Sequence, residues 1–257
     1  MSRPYGPLGL LVSLIVIVAL ASLYCLALLA LAAAIELLVE GAAQTSAVFL
    51  NMSHAMKAGG TSFQTILLGA GIFIYAATVA AIVTVARWRA GSDWRDLVAW
   101  LPWSPKRAGC GFWLLVAGGL IYGLAASAAV SWLRPSLDAA FSFPQNPLGL
   151  AVSFILIVLF APVAEEALFR GWIYTSLRAR FSFLFTNVVS AGAFAIAHWD
   201  KTHLYALAIF PLGLMLGAAR EKSGSIRASA TFHGLYNCFA FLLTVYGAHG
   251  NPAGTSS

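Results

Sequence analysis

The stretch Ala161-Pro-Val-Ala-Glu165-Glu166-Ala-Leu-Phe-Arg170-Gly171 puts two adjacent carboxylates and a guanidinium at the end of an apolar run, Leu148–Ala164. Such a run approaches the roughly 20 residues that a helix needs to cross a hydrocarbon core. An ionisable side chain near the centre of a bilayer costs at least ~2.5 kcal/mol, so charges there mark a working site. The rest of the chain has the composition of a membrane protein. Of 257 residues 60% are hydrophobic and 9% charged, with a mean hydropathy of +0.84. An average soluble domain carries about 25% charged residues. That shortage of charge excludes a soluble globular body, a disordered chain and a disulfide-stapled secreted module.

Outward from this stretch, six further apolar runs complete the pattern: Leu8–Leu31, Ser62–Ala86, Gly111–Leu133, Ser182–Ala197, Leu204–Ala219 and Ala228–Gly247. The expected fold is an all-α polytopic transmembrane helix bundle of about seven spans, or eight. The run at Leu8–Leu31 is too long for a signal-peptide core of roughly 7 to 15 residues and reads as a retained span. Cys25, Cys110 and Cys238 fit no metal spacing and no disulfide framework, and are expected to be small buried packing residues.

The basic residues orient the bundle. With the N-terminus inside, Arg3, Arg87, Arg89, Arg95, Lys106, Arg107, Arg178, Arg180, Arg220, Lys222 and Arg227 are cytoplasmic, while Lys57, Arg134 and Lys201 lie outside. That asymmetry is a positive-inside signal. The net charge of +6 therefore reports topology and contact with anionic lipid, not nucleic acid. Between spans two and three, Asp93–Trp103 carries Trp94, Leu97, Val98 and Leu101 at helical spacing. It is expected to lie in the membrane interface as a short helix.

Polar residues recur on two more helices. Span five ends in Phe194-Ala-Ile-Ala-His198, and span seven contains His233-Gly-Leu-Tyr-Asn237. Glu166 and Arg170, four apart, share a helix face and can pair. Glu165 is turned about 100° away and meets a different environment, as a general base requires. Helix is expected to continue past Glu166 to a turn near Phe181-Ser182. Glu165 lies 16 residues before Phe181 and His198 lies 17 after it. An antiparallel hairpin therefore brings them to one level, about 25 Å from the tip. His233 stands about 10 Å along its helix from the basic turn at 220–227, at a matching depth. Span five then stops near mid-membrane. Asp200, Lys201 and His203 would line a wet cavity, and irregular backbone at that depth needs protein or water around it. A water-filled pocket open to the cytoplasm is expected. His233 and Asn237 share a face and can donate to an oxyanion. With no nucleophilic Ser or Cys evident, hydrolysis by activated water fits better than covalent catalysis.

Glu165-Glu166-x-x-x-Arg170, Phe194-x-x-x-His198 and His233-x-x-x-Asn237 resemble, in order and spacing, the motifs of the CPBP intramembrane proteases. This is the Abi family, which includes the type II CAAX prenyl endopeptidases. The resemblance spans about residues 150–246 and extends to Phe169-Arg170-Gly171 and Gly224-Ser225-Ile226. It implies that Glu165 and His198 activate water, that His233 and Asn237 hold the oxyanion, and that Glu166 with Arg170 organises the site. Members are commonly labelled metalloproteases, and Glu165, His198 and His233 could supply a divalent metal such as zinc. A metal-free glutamate mechanism is also held for the family and is the favoured expectation here, with no cofactor. The implied division is an N-terminal transmembrane region with a cytoplasmic interfacial loop over 1–147, a catalytic membrane core over 148–247 and a flexible tail over 248–257. The implied partners are membrane lipid and a membrane-associated, prenylated or otherwise tethered protein or peptide. The implied location is the bacterial inner membrane. The competing readings are a proton-coupled transporter, since intramembrane Glu, Arg and His also mark proton paths, and a non-catalytic immunity or scaffold protein.

Overall fold

The computed structural model describes residues 6–40, 60–133, 143–144, 146–199 and 204–250. Seven long helices account for most of them: α1 Pro7–Glu40, α2 Gly60–Ala90, α3 Cys110–Leu133, α4 Pro147–Arg178, α5 Phe183–Ala197, α6 Leu204–Ser223 and α7 Ile226–Gly250. No strand occurs among the described residues. Five apolar stretches are long enough to cross a membrane: Pro7–Ile35, Gln64–Leu97, Cys110–Trp132, Pro147–Arg178 and Leu204–Ser223. The protein is thus an all-α polytopic bundle and an integral membrane protein. α5 has only 15 residues, about 22 Å at 1.5 Å each, and stops short of a hydrocarbon core about 30 Å thick. α7 reaches Gly250, beyond the start expected for the tail, and 251–257 lie outside the described residues.

α4 and α6 form the centre. Buried residues make up 33% and 39% of their most apolar windows, against 11% for α1 and α3, whose leucines and isoleucines face outward. One core cluster joins α1, α2 and α4 through Ile17, Ile82, Val85, Ala167 and Trp172. A second joins α3, α4, α5, α6 and α7 through Val116, Phe169, Phe194, Leu212 and Phe232. Gly119 and Gly123 let α3 close on α7. A Cβ at either position would stand 2.6 Å from the Phe232 ring or 2.8 Å from the Tyr236 ring. Pro211 cannot donate within α6, and the Tyr122 hydroxyl donates to the nearby Ala208 carbonyl at 2.7 Å.

The basic connections share one end of the bundle. The Arg178 guanidinium meets Glu221 at 2.9 Å, tying the tip of α4 to the end of α6. Arg227 sits over the Trp100 ring, and the start of α1 at Gly6 lies beside the Arg180 guanidinium. The grouping assumed for the positive-inside count is therefore met at these connections. Arg3, Lys57, Arg134, Asp200, Lys201 and His203 fall outside the described residues.

Two expectations are corrected. The segment 93–103 is not helical along its length. Its helical part is one turn, Trp94–Leu97, because Ala99 turns the backbone to φ 51° and ends it. Val98 and Ala99 are then buried in the first core cluster. The Ala99 carbonyl accepts the Ile226 N–H at 2.9 Å, and the Leu101 carbonyl accepts the Ser225 hydroxyl at 2.7 Å. The segment is a strap that caps the start of α7, where otherwise unpaired N–H groups gather. The cysteines are free as expected, but Cys110 is exposed and Cys25 and Cys238 are half-buried. The outer faces of membrane helices take apolar residues as readily as the interior does.

Candidate active site

α4 is not a uniform helix. Two wide, π-type stretches, Ile155–Phe160 and Ala167–Tyr174, bracket the regular turns Ala161–Glu166 that carry both glutamates. The first stretch precedes Pro162, whose ring has no N–H and crowds the carbonyl four residues back. Such wide turns leave carbonyls without their usual partners. Side chains of other turns and helices supply them. The Asn237 amide donates to Ile157 at 2.9 Å, the Ser190 hydroxyl to Phe169 at 3.0 Å and the Thr175 hydroxyl to Arg170 at 3.2 Å.

Glu166 and Arg170 are both fully buried and paired at 2.8 Å. The second guanidinium nitrogen donates to the Gly213 carbonyl of α6 at 2.8 Å, and the guanidinium carbon lies 4.5 Å above the Phe194 ring. The same Glu166 oxygen that receives Arg170 lies 3.3 Å from His233 Nδ1. Glu166 therefore joins Arg170 on its own helix to His233 on α7, as a carboxylate that orients an imidazole does.

Glu165 faces elsewhere, as the 100° rotation requires. Its Oε2 lies 3.8 Å from His198 Nε2 and 3.8 Å from His233 Nε2. His198 sits at the C-terminal cap of α5, its Nδ1 2.8 Å from the Phe194 carbonyl. A carbonyl only accepts, so Nδ1 carries the proton and Nε2 presents a lone pair toward Glu165 in the neutral ring. The hairpin count thus brings Glu165 and His198 together, and His233 joins them from the third helix. Asn237 is on the expected face of α7, but one amide hydrogen is committed to Ile157. Its second amide hydrogen is the one left for any other acceptor.

One residue was not anticipated. The Tyr75 hydroxyl, from α2, donates to Glu165 Oε1 at 2.7 Å. No motif surrounds Tyr75, and a tyrosine in an apolar helix has no distinctive spacing. Beside this contact lies a cavity of about 290 Å³, with Glu165 and His198 in one wall and Ile74, Tyr75 and Thr78 in another. Ile74 is 56% exposed, so the wall on α2 runs out onto the apolar surface of the bundle.

Among the described residues no three His, Cys, Asp or Glu side chains form a group that could hold a metal ion. The 3.8 Å separations at Glu165 leave room for a small group shared by its Oε2 and the two imidazole nitrogens. They suit a shared water, which sits about 2.8 Å from each partner.

Comparison with known proteins agrees with the motif reading. Residues 147–239 match the family model described as type II CAAX prenyl endopeptidase, Rce1-like. Glu165, Glu166, Arg170, His198, His233 and Asn237 all fall inside that segment, and Tyr75 falls outside it. The chain is also 30% identical over 130 residues to an uncharacterised 24.3 kDa protein of Escherichia coli, an alignment covering 47% of this chain and 58% of that protein. The chain thus spans a little under three-fifths of the length of the curated relative it matches. No solved structure matches it.

Proposed function

We propose that this chain, Rce1-like over residues 147–239, is an intramembrane endopeptidase that hydrolyses a peptide bond of a membrane-associated or lipidated protein. The observation that carries the reading is the position of Glu165 Oε2, 3.8 Å from the Nε2 atoms of both His198 and His233 beside a cavity. A water shared by Glu165 and His198 has two acceptors within hydrogen-bond reach. Glu165 takes one proton, and the water oxygen bonds to the scissile carbonyl carbon. The carbonyl oxygen becomes an oxyanion. A proton on His233 Nε2 and the second amide hydrogen of Asn237 are its donors. Glu165 then returns its proton to the leaving nitrogen as the C–N bond breaks. Arg170 offsets the charge of Glu166, which leaves Glu166 to hold His233. No metal enters these steps.

The exposed Ile74 at the edge of the cavity supports entry of substrate from the lipid side, which suits a tethered chain. The basic connections gathered at one end of the bundle support an active site that opens toward the cytoplasm of a bacterial plasma membrane. The test is cleavage of farnesylated and unlipidated peptides by the protein in liposomes, with and without chelator. Glu165→Gln should lower turnover by about 10²–10⁴-fold, and chelator should leave the rate unchanged. Cleavage by Glu165→Gln at the wild-type rate refutes the reading. A chelated rate restored only by zinc refutes the metal-free step.

A further inference from the structure

We infer that Tyr75 is a positioning residue that sets which oxygen of Glu165 acts. The inference rests on the proposed role of Glu165 and adds to it a residue from a helix outside the Rce1-like segment. A carboxylate has two equivalent oxygens and turns readily about its last bond. Here they differ. Oε1 accepts the Tyr75 hydroxyl at 2.7 Å, while Oε2 faces His198 and His233 at 3.8 Å each. A hydroxyl on a carboxylate is a short, charge-assisted bond, about twice as strong as a neutral one. It fixes the plane of the carboxylate and keeps Oε2 toward the shared water. The groups around Glu165 are His198 from α5, His233 from α7, Tyr205 from α6 and, on its own helix, Glu166 and Arg170. Tyr75, from α2, bonds to Oε1. Without its hydroxyl, the carboxylate can rotate or close directly onto an imidazole, and the place of the water is lost. A role in packing alone would be served equally by phenylalanine. The same α2 turn also walls the cavity through Ile74 and Thr78, so the helix that aims the base also borders the space for substrate.

The test compares wild type, Tyr75→Phe, Glu165→Gln and Tyr24→Phe. Tyr24→Phe removes an exposed hydroxyl that meets Thr84 at 2.9 Å, away from the site. Two readouts are taken in liposomes: kcat and KM on a farnesylated peptide, and the infrared carboxylate band that disappears in Glu165→Gln. Tyr75→Phe should lower kcat by about ten- to a hundredfold, the worth of one charge-assisted bond, with KM within about twofold. It should also displace the infrared band, which Tyr24→Phe should leave in place. An unmoved band, or a kcat within about twofold of wild type, overturns the inference. If Glu165→Gln is inactive while Tyr75→Phe behaves as wild type, the inference alone fails. If Glu165→Gln cleaves at the wild-type rate, the protease reading fails with it. If wild type leaves the peptide intact, the band decides the contact.

Discussion

Replacing Arg170 with methionine tests the reasoning about the site most directly. The side chain is fully buried, as is its partner Glu166. It makes two contacts at 2.8 Å, to the Glu166 carboxylate and to the Gly213 carbonyl, and lies 4.5 Å above the Phe194 ring. Methionine fills most of the volume, so the loss is chiefly electrostatic. Breaking one side of a buried pair costs about 3–5 kcal/mol because the other charge is left behind. The stranded carboxyl can escape by taking a proton. From an ordinary glutamate value near 4.3, at about 1.36 kcal/mol for each pH unit, that proton costs about 3.7 kcal/mol at pH 7. The lost cation–aromatic contact adds about 1–2 kcal/mol. A loss of about 5–6 kcal/mol corresponds to a fall of roughly 10 °C or more in the unfolding temperature of a chain this size.

The sign with pH follows. The variant must fold with a neutral carboxyl, so its deficit grows as pH rises above the ordinary glutamate value and shrinks as pH falls toward it. At pH 5 the proton costs only about 1 kcal/mol, and about half of the deficit relative to wild type should vanish. Glu166→Gln/Arg170→Met removes the charge altogether and should recover most of the lost stability at pH 7. It should recover no activity, since His233 has lost the carboxylate that orients it. Thermal unfolding of detergent-solubilised protein at both pH values is the assay. Equal deficits at pH 5 and pH 7, or a double variant no more stable than Arg170→Met, would refute the argument.

Three further outcomes are expected. Gly123→Ala forces a Cβ to within 2.8 Å of the Tyr236 ring and should cost about 1–3 kcal/mol by overpacking, read as a lower unfolding temperature. Asn237→Asp replaces the donor to the Ile157 carbonyl with an acceptor and should cost about 1–3 kcal/mol, more than Asn237→Ala, which leaves no repelling oxygen. Ser225→Ala removes the bond to the Leu101 carbonyl and should cost about 1 kcal/mol while exposing the strap at 98–101 to faster amide exchange.

The three polar motifs were legible because charge is scarce and helix geometry is regular. Counting from the turn at Phe181 is enough to place Glu165 opposite His198. The wide turns of α4 were not read, because an apolar face on every side hides a change of period. Pro162 was the available sign, since a proline inside a helix displaces the carbonyls before it. The strap at 98–101 was misread because alternate burial of Trp94, Leu97 and Val98 looks the same whether the apolar face meets lipid or protein. Tyr75 carried no motif, yet depth could have found it. Glu165 stands thirteen residues before Arg178 and Tyr75 twelve before Arg87. Both arginines belong to connections at one end of the bundle, so the two side chains lie at one level, roughly 18–20 Å in.

That shared level explains why the site draws on helices so far apart in sequence. Two carboxylates side by side in a membrane cannot both rest on one arginine. Arg170 takes Glu166, and the geometry leaves Glu165 to groups that carry no permanent positive charge: a phenol from α2 and imidazoles from α5 and α7. Partners of this kind hold a carboxylate by one oxygen at a time, where a guanidinium fork can take both. They must come from several directions, because one helix offers each face only every three or four residues. The short α5 follows from the same need. Ending at Ala197, it lets His198 bend off its C-terminal cap at the depth of Glu165, where a continuous helix would have carried the imidazole past it.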